Sequence, residues 1–180
     1  MEPLRYDNGG TGDVYGAELI VRHDFNNNLT GWLTYTLSRA ERLDTDQTEK
    51  RLFDFDQTHI LNLVASYALP RNWEVSGRFR LVSGNPSTPV VGAVYNASAD
   101  QYDPIFGDVN SDRDRSFQQL DLRIDKRWIY QNWIFGAYID IQNVFNYENS
   151  EGLSYNYDYS ETDSQTGLPL LTIFGLKAEF

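Results

Sequence analysis

The sequence predicts an all-β fold, an antiparallel meander of about seven long strands, and three observations carry that reading. Apolar and polar residues alternate along most of the chain, the period of a strand whose two faces meet different surroundings. The connections between these runs alternate in length: short, long, short, long, short, long. No run of about 20 consecutive apolar residues occurs, so the chain holds no candidate for a membrane-crossing helix.

The first strand is predicted from about Asp13 to Phe25, with Tyr15, Ala17, Leu19 and Val21 opposite Glu18, Arg22 and Asp24. Asn26-Asn27-Asn28 turns it, because asparagine tolerates the left-handed backbone of hairpins. The second, about Leu29 to Arg39, sets Leu29, Leu33, Tyr35 and Leu37 against Thr30, Thr34, Thr36 and Ser38. After a polar stretch from Glu41 to Asp56, the third (about Gln57 to Leu69) sets Leu61, Leu63, Ala65, Tyr67 and Leu69 against Asn62 and Ser66. Pro70-Arg71-Asn72 leads into the fourth, about Trp73 to Ser83, with Trp73, Val75, Phe79 and Leu81 opposite Glu74, Ser76, Arg78 and Arg80. Residues Gly84 to about Arg115, rich in Pro, Asp and Asn, read as irregular. The fifth, about Ser116 to Tyr130, sets Leu120, Leu122, Ile124 and Trp128 against Asp121, Arg123 and Asp125. Gln131-Asn132 turns into the sixth, about Trp133 to Asn146, with Trp133, Phe135, Ala137, Ile139 and Ile141 opposite Tyr138, Asp140 and Gln142. A polar stretch from Tyr147 to Gly167, in which Leu153 to Tyr159 would extend the neighbouring strands, precedes the seventh at Leu168 to Phe180.

Charges fall on one face of these strands, with Lys126 the clear exception; close to a short turn, its stem can carry the ammonium to a polar boundary. His23 and His59 also fall on the apolar face, near strand ends. Aromatics gather at the short turns: Phe25, Trp73, Trp128, Tyr130 and Trp133, the girdle expected where barrel strands meet a membrane–water interface. A barrel whose strands alternate lipid-facing and lumen-facing residues spans a bilayer despite a polar mean hydropathy. A soluble β-sandwich alternates in the same way, but its strands usually run about five or six residues, whereas membrane strands need about nine to eleven. The 180 residues suffice for one domain or a piece of a larger one, and the absence of Cys means only that no disulfide holds the chain. A net charge of −11 leaves no basic patch to neutralise phosphates, which argues against nucleic acid as a partner.

The final residues carry the most specific signal. Phe174, Leu176, Ala178 and Phe180 alternate with Gly175, Lys177 and Glu179, and the chain stops on an aromatic. This ending resembles the C-terminal signal by which outer-membrane barrels are selected for assembly. Together with Gly12 to Leu19, Leu33 to Ser38, Phe117 to Arg123 and Asp140 to Asn146, it resembles the C-terminal portion of the barrel of TonB-dependent outer-membrane receptors. The most specific pieces are Leu120-Asp121-Leu122-Arg123 after Gln119, the Asn143-Val144-Phe145-Asn146 run and Phe180.

The resemblance covers nearly the whole chain and implies membership of a 22-stranded transmembrane β-barrel closed by an N-terminal plug. Such a receptor takes up siderophores, cobalamin or glycans with energy relayed by the TonB system through the plug. Its implied location is the outer membrane, and its implied partners are outer-membrane lipid, the rest of the barrel and plug, and the barrel-assembly machinery. No signal peptide, plug or TonB box is evident, and seven strands is an odd number for a closed bacterial barrel. The expectation is therefore a receptor segment over residues 1–180. The rivals are a small stand-alone outer-membrane barrel or adhesin, needing an eighth strand from Leu153 to Tyr159, and a soluble all-β binding domain.

No catalytic constellation stands out, so an enzyme is the least supported class, and no cofactor is expected. His23 and His59 have no evident nucleophile partner. Asp108 to Asp114 begins like a calcium loop, but the pattern wants Gly and Glu where Arg113 and Gln119 stand, so no metal site is expected. The charges Glu18, Arg22, Glu74, Arg78, Arg80, Asp121, Arg123, Asp125, Asp140, Lys177 and Glu179 mix both signs and read as ion-pair ladders of a polar interior. Ligand selection belongs rather to the loops, among which Tyr155-Asn156-Tyr157-Asp158-Tyr159 is aromatic-rich.

Overall fold

The computed structural model describes residues 9–24, 28–45 and 47–180. It is all-β, and the described residues hold fourteen strands and a single three-residue 3-10 turn at Pro70–Asn72. Seven long strands build one antiparallel sheet: β1 (Thr11–His23), β2 (Leu29–Leu43), β4 (His59–Leu69), β5 (Trp73–Val82), β10 (Phe117–Ile129), β11 (Ile134–Gln142) and β14 (Leu171–Glu179). They lie in chain order as a meander, with β1 and β14 at the edges and the short β3 (Arg51–Leu52) added to the end of β2. The other strands form three separate pairs: β6 (Pro86–Ser87) with β9 (Asp112–Arg113), β7 (Val90–Asn96) with β8 (Gln101–Phe106), and β12 (Ser150–Tyr155) with β13 (Thr162–Thr166).

All three pairs sit in, or span, the long connections, so one end of the sheet bears tight turns and the other bears structured loops. Pro70 fixes the entry to the β4–β5 turn, and Arg71 and Asn72 both take the left-handed backbone, with φ 64° and 59°. The Tyr130 amide donates to the Trp133 carbonyl (2.9 Å) and closes the β10–β11 turn. Of the predicted Asn26-Asn27-Asn28 turn, only Asn28, at φ 64°, lies within the described residues.

Register carries the alternation across the whole sheet. Paired residues of an antiparallel ladder share a face, so one row runs Leu29, Tyr67, Val75, Ile124, Ile139, Phe174. Another runs Val21, Leu33, Leu63, Phe79, Leu120. The opposite face holds Arg22, Trp32, Val64, Arg78 and Asp121 in one row and Ser66, Ser76, Arg123 and Asp140 in the next.

Among the described residues, neither face is covered by a second layer. Val82 and Pro86 are the buried apolar residues among those described, while Leu176, Phe174 and Leu19 are 76%, 72% and 54% exposed. A soluble domain buries the apolar face of a sheet against another layer. The chain exposes 13521 Å², against about 9,000 Å² expected of a compact monomer of 20.8 kDa.

Three boundaries differ from the sequence reading. β2 runs on to Leu43 because Arg39 and Glu41 pair with each other (2.6 Å) and β3 hydrogen-bonds to the strand's extension. The charges Asp13, Arg39 and Glu41 thus join Lys126 as exceptions on the apolar face, all three at its long-loop end. The sixth strand stops at Gln142 and the seventh starts at Leu171, because an asparagine-rich corner takes over the backbone between them. The predicted extension over Leu153 to Tyr159 is instead part of the β12–β13 hairpin, which pairs only with itself and supplies no eighth long strand.

Candidate functional site

The aromatics of the proposed girdle lie at the short-turn end, on the apolar face. Tyr130 and Trp133 stack across their turn with ring centroids 4.4 Å apart and planes 14° apart. Trp128 packs beside Phe135 at 5.4 Å. Trp73 is paired with Lys126 across the β5–β10 ladder. The Lys126 ammonium lies 5.2 Å from the Trp73 ring and 5.7 Å from the Trp128 ring, and donates to the Arg71 carbonyl. Its stem thereby lies along apolar surface while its charge reaches the turn. Phe25 lies outside the described residues. At the other end of this face, Asp13 pairs with Lys50 (2.5 Å) beside the Arg39–Glu41 pair. His59 meets the Tyr35 hydroxyl at 2.8 Å.

The terminal residues Phe174, Leu176 and Ala178 stand opposite Ile139, Ala137 and Phe135 of β11. Phe180 follows the last strand residue and is fully exposed. On the other face, Gly175 lies under the Tyr138 ring, where any Cβ would overlap the ring. That ring in turn carries the Arg123 guanidinium, 3.7 Å from its centroid.

The charges of the polar face pair in part as the sequence suggested. Arg78 meets Asp121 across strands (2.5 Å), and Arg123 meets Asp125 (2.7 Å) along its own strand. Lys177 pairs with Glu179, and Arg127 lies 3.7 Å from Glu74.

The resemblance motifs converge at the long-loop end. Asn143 takes φ 51°, which ends β11, and its amide donates to Asp121 Oδ1 (3.0 Å). Its side chain accepts from the Tyr147 amide (2.9 Å) and donates to the Tyr147 (3.0 Å) and Leu168 (3.2 Å) carbonyls. Asn146, also left-handed, accepts from the Leu170 amide (2.8 Å). Asn149 both accepts from the Gln118 amide (2.7 Å) and donates to its carbonyl (2.9 Å), the pattern of a neighbouring strand. Asparagine serves here because it tolerates the left-handed region and offers donor and acceptor together.

A second polar node fixes the other two long loops to the sheet. Asp56, 1% exposed, accepts from the Ala40 amide (2.6 Å), the Thr58 hydroxyl (3.0 Å) and the Arg113 guanidinium. Burial pushes this carboxyl up, but those three donors outweigh it and hold it below the usual carboxylate range. Arg113 also donates to the carbonyls of Asp56 and Gly84, both at 3.0 Å. Asn110, in the stretch resembling the start of a calcium loop, donates to the Leu52 carbonyl (2.7 Å) and to Asp54 (2.6 Å).

Beyond these nodes the β7–β8 and β12–β13 hairpins touch at their tips. The Tyr157 hydroxyl donates to the Asp100 carbonyl (2.5 Å), and the Tyr157 and Tyr102 rings meet edge-on with centroids 5.5 Å apart. Between the hairpins lies an open cleft of about 440 Å³ lined by Tyr102, Tyr155, Tyr157, Tyr159, Asn156 and Asp103, among others. Tyr155 and Tyr159 pack at 5.5 Å. Tyr159 holds φ 58°, a conformation that costs a bulky residue about 1–2 kcal/mol. No sequence signal marked the pairing of these hairpins, although the Tyr155-to-Tyr159 run was singled out.

No family model, curated protein or solved structure matches the chain.

Proposed function

We propose that this chain is a segment of an outer-membrane β-barrel of the TonB-dependent receptor type, with its short turns periplasmic and its long loops extracellular. The observation that carries this reading is the uncovered apolar face, continuous over all seven strands and bounded by charge or aromatic–cation clusters at both ends. From Leu29 to Leu37 that face runs about 27 Å along β2, or about 21 Å across a membrane at a 40° tilt, against a lipid band of about 25 Å. The long strands run from 9 to 15 residues, each reaching at least the lower end of the about nine to eleven that a tilted membrane strand requires. Lipid would cover the apolar face, and the charged face would line the barrel interior against a plug.

Among the described residues the outer edges of β1 and β14 are unpaired, which supports membership of a larger barrel, since a bilayer leaves no water to satisfy free backbone groups. The remaining barrel strands would close those edges. Phe174, Leu176, Ala178 and Phe180 would present the signal read by the barrel-assembly machinery, and energy from the TonB system would enter through the plug. The self-paired β12–β13 hairpin weighs against a stand-alone eight-stranded barrel.

Fractionation of the source cells tests the reading, with the chain followed by an antibody to its loops. The expected result is recovery from the outer membrane in a product several times heavier than 20.8 kDa. Recovery from a soluble fraction would overturn the membrane assignment. An outer-membrane product near 20.8 kDa would replace the receptor with a small barrel or adhesin.

A further inference from the structure

Resting on that reading, in which the long loops face outward, we propose that the cleft between the β7–β8 and β12–β13 hairpins is a binding subsite for neutral carbohydrate. Its shape comes first. At about 440 Å³ the cleft falls within the range of small-molecule sites, and it is formed by two hairpins joined through the Tyr157–Asp100 hydrogen bond.

The lining is aromatic and uncharged apart from one carboxylate. Tyr102, Tyr155, Tyr157 and Tyr159 line it, and the electron-rich face of an aromatic ring attracts the C–H groups of a pyranose. The phenols of Tyr102, Tyr155 and Tyr159 make no hydrogen bond among the described residues, so each has a donor and an acceptor to offer a sugar hydroxyl.

Charge excludes the main rivals. Residues 90–106 and 150–166 contain Asp100, Asp103, Glu151, Asp158, Glu161 and Asp163 but no Lys or Arg, so phosphorylated or polyanionic ligands meet only repulsion. A cation finds no converging carboxylates either. Asp103, the carboxylate lining the cleft, is occupied by the Gln101 and Asn96 side-chain amides (both 2.9 Å), and no cluster of metal-binding side chains occurs among the described residues.

The tip is also shaped against its own backbone preference. Tyr159 holds the left-handed φ of 58° inside a turn closed by Asn156 and Asp158. Glycine would adopt that backbone without strain, so the turn bears a backbone cost to place a ring at the cleft.

The intact outer-membrane product that contains the chain, reconstituted in lipid nanodiscs, is titrated calorimetrically with neutral hexasaccharides of glucose and xylose, hexagalacturonate, a chitosan hexamer and a neutral ferric trihydroxamate chelate. Insertion is verified beforehand by protease protection of the strands, so failed insertion of the intact product counts against the membrane reading, whereas failed binding by inserted product counts against the cleft. At least one neutral hexasaccharide is expected to bind. Tyr159→Gly is expected to weaken it about tenfold or more while folding at least as well as the parent. Tyr155→Phe, which keeps the ring, should lose several-fold. The proposal is overturned if no neutral saccharide binds, if only a charged saccharide or the chelate binds, or if Tyr159→Gly binds as tightly as the parent.

Discussion

Asp56 illustrates how much one side chain holds at the long-loop end. It joins the β2 backbone at Ala40, the start of β4 through Thr58, and the distant loop through Arg113, 57 residues away. Replacing it with asparagine leaves the Arg113 guanidinium without its counter-charge, which costs about 3–5 kcal/mol for a fully buried pair. Arg113 retains solvent contact, so about 2–3 kcal/mol is expected for Asp56→Asn, read as faster hydrogen exchange at the Ala40 amide. The pH dependence follows from the lowered carboxyl. Its stabilisation is complete at neutral pH and persists until pH falls to about 4, the unfolded value, then disappears as pH drops through the lower folded value. The Ala40 amide should lose protection over that acidic window in the parent chain and show no such transition in Asp56→Asn. Nothing local in the sequence announced this node, because its partners are brought together only by the folded loops.

At the scale of elements, the long strands were legible and their ends were not. Two-residue alternation fixes the faces of β4, β5, β10 and β11, and the observed register agrees row by row. It misled at Leu168 to Leu170, which continue the pattern of β14 but give their backbone to Asn143 and Asn146. It also stopped short on β2, where Arg39 and Glu41 interrupt the apolar face without ending the strand. The small hairpins lay hidden for a different reason: most of their side chains are at least partly exposed, so no apolar face imposes a period. For the candidate cleft, the tyrosines of one wall were visible, while the opposing wall and the strained Tyr159 needed the structure. The faces themselves make a prediction. Leu122→Arg or Ile139→Arg, both on the apolar face near its middle, should cost about 2–4 kcal/mol and block insertion into bilayers. Gln119→Arg, on the charged face of the same β10, should insert normally. Equal insertion of all three variants, measured by protease protection, would mean that the faces do not differ in their surroundings.

For the whole molecule the central question is what covers the apolar face. Among the described residues the sheet is one layer with two open edges and an exposed apolar face, a deficit in water. A bilayer on one face and a polar interior on the other answer that deficit together, and they account for the tight turns at one end and the elaborate loops at the other. The chain contains no cysteine, so single cysteines placed along residues 119–124 of β10 take a spin label without background. Collision with lipid-soluble oxygen and with a water-soluble nickel chelate is then measured in bilayers. The account predicts oxygen maxima at Leu120, Leu122 and Ile124 and oxygen minima at Gln119, Asp121 and Arg123, a strict two-residue alternation. Low accessibility to both reagents at Leu120, Leu122 and Ile124, or no alternation at all, would contradict it and put that face against protein instead of lipid.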